Sequence, residues 1–172
     1  MNFIDLAKKR YSVRSYTEQK VEKEKLDLIL EAARVAPTGA NKQPYRLIVI
    51  QQEEGLKKLS KAVNTFHAPC VIIVCGNRSE AWIRPLDGKN IIDIDASIVT
   101  DHMMHEATDL GLGTCWICYF KTEILREEFK IPEQLEPINI LAIGYTDKDW
   151  KSPDRHEEVR KPLTETVFYE SF

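Results

Sequence analysis

Arg10-Tyr11-Ser12-Val13-Arg14 and, beyond an amphipathic stretch, Ala36-Pro37-Thr38-Gly39-Ala40-Asn41-Lys42-Gln43-Pro44-Tyr45 are the two segments on which the reading of this chain turns. Side chains alternate faces in extended backbone, so Arg10, Ser12 and Arg14 are expected to project to one side. Two guanidiniums and a hydroxyl on one face suit a phosphate or another polar ligand group, because a guanidinium is planar, always charged and able to donate in pairs. Taken alone, with Lys8 and Lys9 beside it, the segment reads more simply as a solvated basic loop. Between the two segments, Leu26, Ile29, Leu30 and Ala33 fall at helical spacing and predict a helix over about 22–35 that ends before Pro37.

Working outward, Phe3 to Lys9 reads as a short helix leading into the arginines. Tyr45–Gln51 and Pro69–Cys75 are short β-branched apolar runs that predict buried strands, with a helix over 53–63 between them. The segment 77–90, with Trp82, Pro85 and Gly88, is the least regular and reads as a mobile flap. A long helix over about 91–110 follows, one face marked by Val99, Met103, Ala107 and Leu110, and Gly111-Leu112-Gly113 stops it. Then come a strand over 114–120, a short helix over 122–129 with Thr122 as its N-cap, and a strand over 138–145. The tail from Thr146 is polar but ends on Val167, Phe168, Tyr169 and Phe172. It has little core left to join, so 146–172 is expected to pack on a partner subunit. This alternation of helices and strands predicts a mixed α/β or α+β domain with helices covering a sheet.

With 172 residues, 43% hydrophobic and 30% charged, the chain is expected to be one globular domain over 1–172. A net charge of −3, with basic residues scattered among acids, gives no footprint for nucleic acid. No apolar run approaches the roughly 20 residues of a membrane span, and the N-terminus lacks a signal peptide's apolar core. Four cysteines do not make a disulfide framework, so the cytoplasm is the expected compartment.

Cys115-Trp116-Ile117-Cys118 has the CxxC spacing of thiol–disulfide oxidoreductases. It falls in an expected strand rather than at a helix start, and residues three apart on a strand point to opposite faces. His102 and His105 share a helix face with Glu106, but no further ligands accompany them, and a helix–helix interface is the simpler reading. There is no GxGxxG, GxxxxGK[ST] or HExxH, and no serine in a nucleophile elbow. Such a chain can still be an enzyme if a cofactor carries the chemistry.

In order along nearly its whole length, the chain resembles a compact member of the FMN-dependent nitroreductase family. The resemblance is carried by Arg10 to Arg14, by Ala36-Pro37-Thr38 with Asn41, Gln43, Pro44 and Tyr45, and by Asp95 to Ala107. Gly111 to Ile117, Ile143-Gly144-Tyr145 and Arg160-Lys161-Pro162-Leu163 complete it. It implies an α+β fold, a central, mostly antiparallel sheet flanked by helices, in an intertwined homodimer with FMN at the subunit interface. Arg10, Tyr11 and Ser12 would then bind the phosphate and ribityl end, and Arg160 would return to the phosphate. Arg14 would approach the N1/O2 edge of the flavin. Pro37, Thr38, Gly39 and Asn41 would come from the other subunit. Trp116, Ile117 and Cys118 would set backbone against the N5/O4 edge, and Lys61 or Asn64 would add a contact. The resemblance further implies hydride transfer from NAD(P)H through flavin N5 to a small acceptor, a nitroaromatic or a quinone, in ping-pong fashion. The alternatives are a non-catalytic flavin-binding or flavin-sensing protein and a thiol–disulfide oxidoreductase using Cys115 and Cys118. Two positions depart from similar proteins: Cys118 stands where glycine is usual, and Tyr11 where a second basic residue is common.

Overall fold

The computed structural model describes residues 2–172. Strands β1 (Tyr45–Ile50), β2 (Cys70–Asn77), β3 (Gly113–Ile117) and β4 (Leu135–Gly144) form one sheet in the order β1-β2-β4-β3, every adjacent pair antiparallel. The central strand β2 is buried along its whole length. A strand of this kind is apolar on both sides because both faces of its sheet are covered. Period-two alternation sorts its residues: Cys70, Ile72 and Val74 enter a core with α2 (Lys23–Val35) and α4 (Ile92–Asp109). Val71, Ile73 and Cys75 enter a second core, with Leu59 of α3 (Glu53–Leu59) and Leu125 of α5 (Thr122–Phe129). The result is an α+β domain of three layers, helices–sheet–helices, as expected.

α4 is the long helix of the molecule. Ile92, Ala96, Val99, Met103 and Ala107, spaced three or four apart, are fully buried against the sheet. It stops where Gly111 takes a left-handed φ of 80°. There the N–H of Leu112 donates to Ala107 O at 2.8 Å and that of Gly111 to Thr108 O at 3.1 Å, which caps carbonyls the helix would leave free. α1 (Phe3–Lys9) lies against α4, and the arginine segment then runs along the outer edge of β3. Its anchor is Val13, buried, whose N–H donates to Thr114 O at 2.8 Å, with a parallel bridge between Ser12 and Thr114. No helix among the described residues is long and apolar enough to cross a membrane.

Several boundaries differ from expectation. The helix expected to 63 ends at Leu59, and the Ser60 hydroxyl donates to Lys57 O at 2.8 Å at its end. The strand expected to 120 ends at Ile117, after which Cys118 to Phe120 leave the sheet and the N–H of Lys121 bonds Ala62 O at 3.0 Å. The N-cap of α5 is therefore Lys121, not Thr122. β4 begins at Leu135 rather than 138, because Pro137 is accommodated opposite Cys75 where the register shifts. A proline has no N–H for the ladder, and a bulge is one of the places a sheet tolerates it. The 77–90 segment is closed by a bridge between Ile83 and Asn90 and by an Arg84–Asp87 ion pair. The tail contains two short helices that hydropathy did not foresee, α6 (Arg155–Val159) and α7 (Leu163–Thr166).

Candidate functional site

Arg10 sits half-buried at one end of the extended segment. From α6, Arg155 donates through Nη2 to Arg10 O at 2.6 Å and through Nη1 to Lys8 O at 2.9 Å and Ser152 O at 2.8 Å. His156 adds a bond between Nε2 and Lys8 O at 3.2 Å. These bonds fold the tail back onto the arginines, and Arg10, Lys8, His156 and Arg160 line a cavity of about 380 Å³. The Arg10 guanidinium is held below its ordinary pKa, first by burial and then by the charges of Arg155 and Arg160, with Asp101 opposing. Guanidiniums gathered in this way form a donor set that an anion completes. Sequence reasoning named Arg10 and Arg160 but missed Arg155, whose signal was a planar cation close to Arg160 in an otherwise acidic stretch. Arg155→Ala is expected to destabilise docking of the tail by about 1–2 kcal/mol. Faster proteolysis after Asp149, with an unchanged unfolding midpoint for the body of the protein, is the outcome that checks it.

Arg14, at the other end, is exposed and lines a different cavity, of about 690 Å³. Its guanidinium lies 5.9 Å from the centre of the Phe66 ring, within cation–π reach. Lys61 and Asn64 both line this cavity. Lys61 is engaged with Glu128 at 2.5 Å, and the side-chain oxygen of Asn64 accepts the Phe66 N–H at 2.9 Å. Phe66 and His67 hold left-handed φ values of 58° and 62°, a conformation that is costly for side-chain-bearing residues and concentrates at ligand sites. The opposite wall is Trp116, Ile117 and Cys118 at the end of β3. Cys115 is buried, its thiol pKa raised by burial with Arg14 opposing, whereas Cys118 is exposed. The two thiols therefore differ in exposure, as strand alternation predicts, although both line this cavity.

The turn with Pro37, Thr38, Gly39 and Asn41 lines neither of these cavities. It packs at the start of α4, where the Gly39 N–H donates to Asp95 Oδ1 at 2.8 Å. Ala40, Asn41 and Gln43 all have left-handed φ, between 48° and 54°, and the Thr38 hydroxyl accepts the Gln43 N–H at 3.0 Å. The turn is thus strained and held from below by a buried carboxylate. Tyr11 packs edge-on to Trp150, the ring centres 5.5 Å apart.

A third cavity, of about 470 Å³, lies among α1, α2 and α4. Phe3, Leu28 and Val35 line it and are all largely exposed, and His102 and His105 share it. His102 Nδ1 donates to Ile98 O at 2.9 Å, and the His105 ring packs 5.3 Å from that of Phe3. Both histidines line this open groove, and of the two His105 packs on a neighbouring helix, through Phe3 of α1. The apolar end of the tail is likewise uncovered, with Leu163 75%, Tyr169 87% and Phe172 fully exposed.

Comparison with known proteins meets the same landmarks. The model of the nitroreductase family matches residues 7–65 and 62–145. The crystal structure of a nitroreductase family protein from Clostridium difficile 630 is 60% identical and superposes with a TM-score of 0.97, covering 100% of both chains. An FMN-dependent nitroreductase from Clostridium difficile R20291 is 28% identical, with a TM-score of 0.81 over 99% of this chain and 100% of its own. An FMN reductase (NAD(P)H) from Bacillus subtilis is 29% identical over 86% of this chain and 67% of its own length.

Proposed function

The chain belongs to the nitroreductase family, and from that membership we propose that it passes hydride from NAD(P)H, through bound FMN, to an electron-poor nitroaromatic or quinone in a ping-pong cycle. It is an NAD(P)H-dependent oxidoreductase with FMN as cofactor, as its relatives' names and the family match support. The observation that carries the finer reading is one extended segment with a crowded guanidinium cluster at the Arg10 end and a roomy cavity at the Arg14 end. FMN has this polarity, a phosphate joined by a ribityl chain to a flat ring.

Arg10, Ser12 and Arg160 would hold the phosphate and ribityl end, with Tyr11 bracing the segment against Trp150. Arg14 would stand beside the N1/O2 edge, where a fixed cation favours the negative charge that reduction brings. Trp116, Ile117 and Cys118 would offer backbone groups to the N5/O4 edge. When bound, FMN supplies the hydride-accepting and hydride-donating centre that no side chain of this protein has. One hydride and one proton from solvent take a nitro group to nitroso with release of water, so no side chain is required as a general acid.

Pro37, Thr38, Gly39 and Asn41 would reach the flavin of the other subunit. Their distance from both cavities in their own chain supports a site built by two chains. The uncovered groove among α1, α2 and α4 and the exposed end of the tail support a homodimer, but Trp150 to His156 dock on their own chain, so only the apolar end from Leu163 to Phe172, not the whole of 146–172, is left to lie on the partner. The test is an absorbance spectrum of protein reconstituted with FMN and desalted, then exposed anaerobically to NADH and NADPH. Retained flavin bands that bleach are the expected result. Bands that persist would mark a flavin-binding protein without turnover, and absence of bound flavin would overturn the reading.

A further inference from the structure

The cavity at the Arg14 end is basic, in a chain whose net charge is −3. Its lining includes Arg14, Lys61 and Lys121 and no carboxylate. Lys61 shares its charge with Glu128, and Arg14 has its place beside the flavin in the reading above. That leaves Lys121. It is exposed and, among the described residues, absent from the ion pairs that engage Lys23, Lys58, Lys61, Lys148 and Lys161. Its backbone N–H bond to Ala62 O at 3.0 Å ties it to the rim where the loop after α3 meets the turn after β3.

Local structure gives no reason for a lysine at this position. Lys121 is the N-cap of α5, where its carbonyl accepts the Leu125 N–H at 3.2 Å but its side chain makes no capping hydrogen bond. N-caps favour Ser, Thr, Asp or Asn, and a cation there meets the positive end of the helix dipole. A residue that works against its own helix while lining a cavity is one whose value lies in the cavity. Beside it the cavity lining is aromatic: Tyr119 is 94% exposed, and Phe120 and Phe66 are half-buried.

We propose that Lys121 reads an anionic substituent on the acceptor, so that the preferred acceptors are planar aromatic compounds carrying a carboxylate or a similar anion. The aromatic ring of such a compound lies among Phe66, Tyr119 and Phe120, with its charge toward the ammonium group. This rests on the assignment of the 690 Å³ cavity to flavin and acceptor. The nicotinamide donor is also a planar ring tethered to anionic groups, so donor and acceptor must be separated by experiment.

The test compares 4-nitrobenzoate with 4-nitrobenzamide on the FMN-loaded protein. It also compares binding of the unreactive benzoate and benzamide, followed by perturbation of the flavin spectrum. The carboxylate withdraws electrons less than the amide, so intrinsic reactivity favours the amide and any preference for the acid comes from recognition. A roughly five-fold tighter binding of benzoate, with a kcat/KM ratio also favouring the acid, is expected, about what one partly screened ion pair supplies. In Lys121→Ser the benzoate preference is expected to vanish, and in Lys121→Glu to invert. Serine is the better N-cap, so Lys121→Ser folds at least as well and a lost preference is not lost structure.

Equal binding of benzoate and benzamide by the unaltered protein, or a preference that survives Lys121→Ser, overturns the proposal. A loss in Lys121→Ser that falls on kcat/KM for NADH or NADPH, with the benzoate preference intact, assigns the lysine to the donor and overturns it as well. A benzoate preference lost in Lys121→Ser, in a protein that never oxidises NAD(P)H, upholds the anion subsite and overturns the catalytic reading instead.

Discussion

Arg10→Ala is expected to weaken FMN binding about a hundredfold, the loss of roughly 3 kcal/mol from a charge-assisted pair of hydrogen bonds. The expectation rests on what surrounds the side chain. Arg10 is half-buried, and its charge is disfavoured by burial and by its neighbours Arg155 and Arg160. Repulsion of this kind is relieved when a doubly charged phosphate enters, so the cluster is poised to bind rather than to stabilise the empty fold. Two readouts separate the effects. Equilibrium titration with FMN should show the large loss, and the thermal midpoint without FMN should stay within a degree or two or rise slightly. An unchanged dissociation constant would remove Arg10 from the phosphate site. Arg10→Lys should recover part of the affinity, since charge returns without the fork.

The second large effect is steric. At Gly113 a Cβ would lie 2.6 Å from Val13 Cγ2 and 3.0 Å from Val13 Cβ. Val13 cannot simply step aside, because it is 2% exposed and its N–H is bonded to Thr114 O at 2.8 Å. Gly113→Ala is therefore expected to lift the arginine segment off β3, costing about 2 kcal/mol of stability as an overpacked contact. Arg10 and Arg14 travel with that segment, so FMN affinity should fall at least tenfold, although residue 113 lines neither cavity. Adding Val13→Ala removes the obstructing methyl groups and should return much of the flavin binding. Failure of the double variant to recover any affinity would show that the glycine acts by some route other than Val13.

How much of this was legible beforehand follows from the range of the forces involved. The helices 23–35 and 92–109 follow from apolar spacing, because each buries one face against one sheet. Period two alone predicts Arg10 and Arg14 on one side, whereas the structure sets them in two different cavities at the two ends of the segment. What could not be read is where long-range packing decides. Nothing local reveals that Arg155 will cross from the tail to the carbonyls of Lys8 and Arg10, or that Lys61 and Asn64 will face Arg14 across one cavity. The early start of β4 was hidden by Pro137, which reads as a strand breaker until the register shift opposite it is seen. Thr122 was preferred as N-cap by its chemistry, and the backbone placed Lys121 there instead.

The distribution of sulfur has a practical consequence. Cys70, Cys75 and Cys115 are buried, and burial raises the first two thiols to about 12 and about 11. Thiols protonated to such a degree and screened from solvent are poor nucleophiles. Cys118 alone is exposed, on the wall of the larger cavity. The natural protein thus comes with one addressable handle on the wall of that chamber. A maleimide dye or spin label can be installed there without first removing other cysteines, and a ligand entering the chamber will announce itself through the label.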